Sequence, residues 1–256
     1  MFSIVEGQRM RNSVKAIFKP LIPLILITAL AEWLSRSGSI PAFLMPAPSQ
    51  VFQSLADDSV GFKKAFLETA LASFTGLALS LLVGLFFALV LTYSRLIREM
   101  LYPYALFFQT VPIIAIAPLL VIWLGYGLPT VIASSFIVSV FPVIANSVLG
   151  LMSTDSQLLS LFKMMDASPL QTLFRLRLPH AIPQIIGGVQ IAGGLAVIGA
   201  IVGEFISGSG LGGLVDAARN QQRIDRVFAS VLLAAMLGIL FFSFVSVTKK
   251  ILLKNR

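Results

Sequence analysis

Long stretches without a charged side chain alternate along this chain with short polar segments. The uncharged runs cover residues 69–94, 100–154, 181–203 and 227–248, each longer than the roughly 18 apolar residues that mark a membrane-spanning helix. The run 100–154 is too long for one crossing, and Gly125-Tyr126-Gly127-Leu128-Pro129 in its middle is a turn signal that divides it. A further apolar stretch, 16–35, has Pro20 and Pro23 at its start and Glu32 near its end. It counts as a span because proline is tolerated in a first helical turn and Trp33 suits a membrane interface. The pattern predicts an all-α membrane protein of about six transmembrane helices, at about 16–35, 69–93, 101–124, 128–150, 184–206 and 227–248.

One polar interruption, 155–183, separates the fourth and fifth spans. Leu158, Leu159, Leu161, Phe162 and Met165 form an apolar stripe at helical spacing. A second helix has an explicit start: Ser168 as N-cap, Pro169 at the first helical position, and Gln171 completing a capping box. Leu170, Leu173, Phe174 and Leu178 then fall near one face, with Arg175 and Arg177 toward the C-terminal end, where cations suit the helix dipole. Pro179 and Pro183 close the element. From the residues alone, an interfacial helix lying among lipid headgroups and a protein-docking helix fit equally well.

Composition agrees with a bilayer: 57% of the 256 residues are hydrophobic and only 12% charged, against roughly 45–50% and 25% in soluble domains. The spans leave no room for a separate soluble domain. No cysteine is present, which excludes a disulfide framework, thiolate metal sites and a thiol nucleophile. A net charge of +8 in a soluble protein would point to nucleic acid, but its distribution points elsewhere. With the N-terminus in the cytoplasm, 13 of the 19 basic residues fall on the inner side. That asymmetry predicts cytoplasmic tails at 1–19 and 249–256 around a membrane domain at 20–248, with anionic lipid, not nucleic acid, as the charge partner. A secretory leader is the competing reading of the first span: Arg9, Arg11, Lys15 and Lys19 precede an apolar core, and Ala29-Leu30-Ala31 resembles a cleavage site. A polytopic chain with basic flanks needs no such removal.

Polar side chains inside spans are the candidates for a translocation pathway, with interhelical hydrogen bonding as the plainer alternative. They are Gln109, beside Thr110 and the proline-broken middle of the third span, then Asn146, Gln190 and Glu204. Glu204 either gates or contacts solute or is an acid solvated near the outer surface. Gly199 and Gly203 form a G-x-x-x-G pair suited to close helix packing, as at a dimer interface. Gly208 to Gly213 matches G-x-G-x-x-G formally, yet it follows an apolar span and position 233 is Leu, so it reads as a flexible external loop. His180 is the only histidine and cannot build a zinc site alone. No phosphate-binding G-x-x-x-x-G-K-[ST] motif occurs, so any ATP must be hydrolysed by another chain. An intramembrane enzyme would need paired acids or a nucleophile and base at depth, and the only acidic pair, Asp57-Asp58, lies in a loop. A channel would want charge rings or a carbonyl filter.

The stretch Asp166-Ala-Ser-Pro-Leu-Gln-Thr-Leu-Phe-Arg-Leu-Arg-Leu-Pro-His-Ala-Ile-Pro183 resembles the cytoplasmic "EAA" loop of importer-type ABC transporter permeases. Leu44-Met-Pro-Ala-Pro-Ser49 is similar to the loop after their first span, and Val197 to Ile206 with Gly210-Leu-Gly-Gly213 to their fifth span and its exit. The resemblance covers about residues 20–248 and is strongest to permeases for nitrate, sulfonate, taurine and pyrimidine precursors. It implies a type I ABC importer permease fold in a bacterial inner membrane and a homodimer. It also implies two cytoplasmic ATPase subunits carrying ATP and Mg, an extracytoplasmic solute-binding protein, and no cofactor or metal on this chain. By the same resemblance, ATPase coupling falls to Leu161, Lys163, Asp166, Ala167, Ser168, Leu170, Gln171, Leu173, Phe174, Arg175, Leu178 and Pro179. The chain departs from the family pattern in two places: Ser160-Leu161-Phe162 stands where Glu-Ala-Ala is usual, and Asp166 stands where glycine is usual. Aspartate tolerates a left-handed turn better than most residues.

Overall fold

A computed structural model describes residues 21–41 and 43–253. The expected N-terminal tail, the start of the first span at 16–20 and the last residues 254–256 lie outside the described residues. All regular elements among the described residues are helical. They are α1 (Leu21–Arg36), α2 (Pro48–Asp57), α3 (Ser59–Tyr93), α4 (Arg95–Thr110), α5 (Ile113–Leu124) and α6 (Leu128–Met152). After these come α7 (Ser156–Met164), α8 (Pro169–Thr172), a π-helical turn (Leu173–Arg177), α9 (Leu178–Ser207), α10 (Gly210–Asn220) and α11 (Ile224–Leu253).

The described residues form two units, one reaching to residue 59 together with 218–229 and the other of 60–217 with the residues from 230 on. In the first, Glu32 is the acceptor that joins α1 to α2. Its carboxylate takes the Ser49 N–H at 3.0 Å and the Ser49 hydroxyl at 2.7 Å, and Arg36 pairs with it at 2.5 Å. The acid that interrupts the apolar pattern of the first span thus has a local structural use. Pro48 opens α2, and the Gln50 side chain accepts from the Ala47 N–H at 3.1 Å. The returning segment holds Gln222 at φ +58° and a bidentate Arg223–Asp225 pair at 3.0 and 2.8 Å, and Arg226 pairs with Asp58.

In the second unit α6 packs against both α3 and α9. The facing positions are small: Ala72, Ser73, Ser80 and Ala88 on α3, Ser134, Ser135 and Ser139 on α6, and Ala192, Ala196, Gly199, Ala200 and Gly203 on α9. Small residues let helix backbones approach closely where lipid removes the usual hydrophobic drive. Gly199 shows how close: a Cβ there would sit 2.7 Å from the carbonyl oxygen of Ser134. The pair Gly199 and Gly203 therefore packs α9 onto α6 within one chain, which corrects the dimer-interface expectation. Ser80 and Ser139 share a hydrogen bond of 2.7 Å across the α3–α6 contact. Larger residues form two clusters, one of Leu91, Ile144, Val148 and Leu151, the other of Leu77 and Val143 with Phe241 of α11. Leu82, Phe86, Ile122, Trp123 and Ile239 face outward, the arrangement of a chain whose solvent is lipid.

Among the described residues, four helical stretches are long and apolar enough to cross a membrane alone: Ser59–Tyr93, Leu128–Met152, Pro169–Ser207 and Ile224–Lys250. The expected third span is instead divided, because α4 ends at Thr110 and α5 begins at Ile113. Pro112 lacks an N–H and drives Val111 to an extended conformation, φ −74° and ψ 122°. The expected turn at 125–129 is present, with Gly125 and Gly127 at φ +81° and +98°.

Candidate functional site

The segment after α6 is built from caps. Asp155 accepts from the Gln157 N–H at 2.8 Å and starts α7. At the other end the Ala167 N–H reaches the Phe162 carbonyl at 3.0 Å and the Asp166 N–H reaches that of Lys163 at 3.2 Å. These two bonds make a Schellman motif, in which the residue after the cap must be left-handed. Asp166 fills that position at φ +51° where glycine is usual. Ser168 then accepts from the Gln171 N–H at 3.2 Å while the Gln171 side chain accepts from the Ser168 N–H at 2.8 Å, closing the capping box ahead of Pro169.

The single apolar face expected for 170–178 is split by the π turn. A π turn takes in one extra residue, so side chains beyond it are rotated relative to 3.6-residue spacing. Leu173 and Leu178 pack onto the cluster of Ala88, Leu91, Val148 and Ala181. Leu170 and Phe174 point away from it, 66% and 62% exposed. Met164 and Met165, at 75% and 70%, stand beside them, with Leu161 also exposed on α7. The protruding surface is thus Leu161, Met164, Met165, Leu170 and Phe174, and the anchoring surface is Leu173 and Leu178. Spacing alone did not single out Met164. Lys163, Gln171 and Arg175 are also exposed, while Ala167 and Pro179 are half-buried.

The four polar pathway candidates do not converge. Asn146 donates to the Pro142 carbonyl on its own helix at 2.9 Å. Gln190 donates to the Ser246 hydroxyl at 2.7 Å and ties α9 to α11. Gln109, exposed in the last turn of α4, lines a cavity of about 410 Å³ between α3, α4 and α6, with Phe87, Tyr104, Phe136 and Phe141. No charged side chain contributes to that lining.

Glu204 is 1% exposed, which excludes the solvated acid considered from the sequence. Its carboxylate accepts from the Thr69 hydroxyl at 2.8 Å and from the Gly212 N–H at 3.0 Å. Thr69 in turn accepts the Leu211 N–H at 3.0 Å, and Glu68 accepts the Gly210 N–H at 3.1 Å. Three successive N–H groups opening α10 are thereby satisfied, where a helix start carries unpaired donors and partial positive charge. The expected flexible loop at 208–213 is therefore a helix start, with Gly208 and Ser209 alone between α9 and α10. Glu68 and Thr69 escaped the sequence reading because their partners lie about 140 residues away, beyond any periodic signal.

Residues 80–254 match the family described as the binding-protein-dependent transport system inner membrane component. A probable ABC transporter permease protein of Haemophilus influenzae is 37% identical over 229 residues, covering 89% of this chain and 94% of its own. The formylaminopyrimidine transport permease protein ThiX of Halalkalibacterium halodurans is 33% identical, over 96% of this chain and 99% of its own. Among solved structures, an inward-facing MetNI methionine ABC transporter superposes with a TM-score of 0.61 at 17% identity, covering 74% of this chain and 96% of that one. An amino acid ABC transporter gives 0.63 at 15%, covering 80% and 98%. The fold is that of type I ABC importer permeases. A chain of this fold, with a doubly capped loop between α6 and α9, belongs to the binding-protein-dependent inner membrane components, the permease subunits of ABC importers that leave ATP hydrolysis to a separate subunit.

Proposed function

We propose that the loop 155–183 seats a cytoplasmic ATPase and that two copies of this chain form the pathway for a solute delivered by an extracytoplasmic binding protein. The observation that carries this reading is the exposed set Met164, Met165, Leu170 and Phe174, held on a doubly capped turn and anchored by Leu173 and Leu178. Exposed methionine and aromatic side chains on a rigid mount suit a protein groove, where a few such anchors dominate binding. In this reading the domain 20–248 spans the membrane, both tails are cytoplasmic as the basic residues favour, and ATP and Mg sit on the partner. The test is co-purification with a candidate ABC ATPase subunit. Phe174→Glu and Leu170→Glu should each abolish association while leaving the permease folded, and unchanged association would refute the assignment. Leu173→Glu is a poor probe because it charges the core.

For the solute, the charge-free aromatic cavity at Gln109 favours a small uncharged ring compound over nitrate or a sulfonate, which would call for a cation. The formylaminopyrimidine permease among the relatives is of that chemistry. Competition for uptake between a pyrimidine precursor and taurine decides it, and competition by taurine alone would overturn this solute class.

A further inference from the structure

The ends of α3 and α6, the first turn of α4 and the π turn enclose a cavity of about 240 Å³. Three of its lining side chains are guanidiniums, Arg95, Arg98 and Arg177, and none is an acid. Their partners are few. Arg95 is held by Glu99 at 2.7 Å on the outer, exposed side of α4. Arg98 donates to the sulfur of Met152 at 3.0 Å, and a thioether is a weak acceptor. The Nε of Arg177 is shielded from solvent and has no acceptor among the described residues. A buried charged donor left without an acceptor is strongly disfavoured. The nearby acids do not supply one: Glu99 is engaged by Arg95, and Asp155 caps α7.

We propose that this cavity binds a phosphate-class oxyanion, as the headgroup of an anionic phospholipid or as a free phosphate, held by Arg98 and Arg177 with Arg95 at the rim. Guanidinium forks match phosphate oxygens two at a time. The start of α4, capped by Ser94, adds the positive end of a helix dipole. An adjoining cavity of about 430 Å³ shares Arg98 and Met152 and runs between α4 and α6 over Tyr102, Val148 and Leu149. A phospholipid would place its phosphate among the arginines and an acyl chain along that apolar groove. Because Arg177 lies in the π turn, the bound anion would brace the capped loop against α4 and α6.

The test uses the purified protein in nanodiscs of equal phosphatidylglycerol and phosphatidylcholine, followed by native mass spectrometry of retained lipid. Wild type should keep the anionic lipid over the zwitterionic one by about tenfold, the ratio one charged hydrogen bond supplies. The double variant R98Q/R177Q should lose the preference. In purely zwitterionic nanodiscs, inorganic phosphate is added and thermal unfolding is followed. A rise in Tm that R98Q/R177Q lacks assigns the site to free phosphate, and lipid preference without that response assigns it to the headgroup. Wild-type protein with neither lipid preference nor response to phosphate overturns the proposal, whatever the fate of the variant.

Discussion

Replacing Glu204 with alanine tests whether this acid holds the molecule together or meets the solute. Its carboxylate has two donors, the Thr69 hydroxyl and the Gly212 N–H. On truncation Thr69 keeps a partner, because the same hydroxyl reaches the Ala65 carbonyl at 3.0 Å. The Gly212 N–H loses its acceptor. A buried donor left unpaired costs about 1–3 kcal/mol, and the space vacated beside α10 adds to it, for an expected loss of about 2–4 kcal/mol. Glu204→Gln should cost about 1 kcal/mol, since one oxygen, Oε2, takes both the Thr69 hydroxyl and the Gly212 N–H, and an amide oxygen in its place can still accept from both. Two measurements read the effect: thermal unfolding of the purified protein and amide hydrogen exchange at 210–213. A local loss of 2 kcal/mol corresponds to about thirtyfold faster exchange there. E204A with wild-type Tm and wild-type exchange at 210–213, but impaired uptake, would refute the structural role and return the acid to the pathway.

Gly199→Leu should separate α9 from α6 at a cost of about 3 kcal/mol or more, because its Cβ would meet the Ser134 carbonyl at 2.7 Å and Ser135 Cα at 2.9 Å, both backbone atoms. Gly187→Leu has open space at the same helix and should be tolerated, so equal yields of monodisperse protein from the two variants would contradict the packing described. Asp166→Gly should leave the loop intact, whereas Asp166→Val forces a branched residue to be left-handed and should lose about 1–2 kcal/mol, read by hydrogen exchange at Ala167. Ser168→Ala removes the cap from the short helix α8 and should weaken the loop by about 1 kcal/mol, seen as faster exchange at Gln171.

What the chain shows directly follows from local rules. The helices over 69–93, 128–150, 184–206 and 227–248, the glycine turn at 125–129 and the Ser168–Gln171 cap all depend on neighbours within a few residues, and each is present in the fold. Misreadings arose where a distant partner decides. The stripe 170–178 looked like one face because 3.6-residue spacing assumes no extra residue, and the π turn at Leu173–Arg177 inserts one ahead of Leu178. Gly208 to Gly213 looked loose because glycine is locally permissive, yet Glu68, Thr69 and Glu204 hold its N–H groups from other helices. Gly199 and Gly203 announced close approach without naming the neighbour, and α6 of the same chain supplies it.

The stretch from Pro169 to Ser207 runs 39 residues as one helical rod through its π turn. At roughly 1.5 Å per residue it is about 55–60 Å long. One end carries the protruding Phe174, and the other is fastened at Glu204 to α3 and to the start of α10. Under the coupling proposed above, a push on the loop would travel along this continuous helix toward the far side of the bundle, with the π turn and Pro183 as the places where it can bend. The bonds at Glu204 tie this helix to α3 and to the opening of α10, so under that coupling the three would move together rather than one alone.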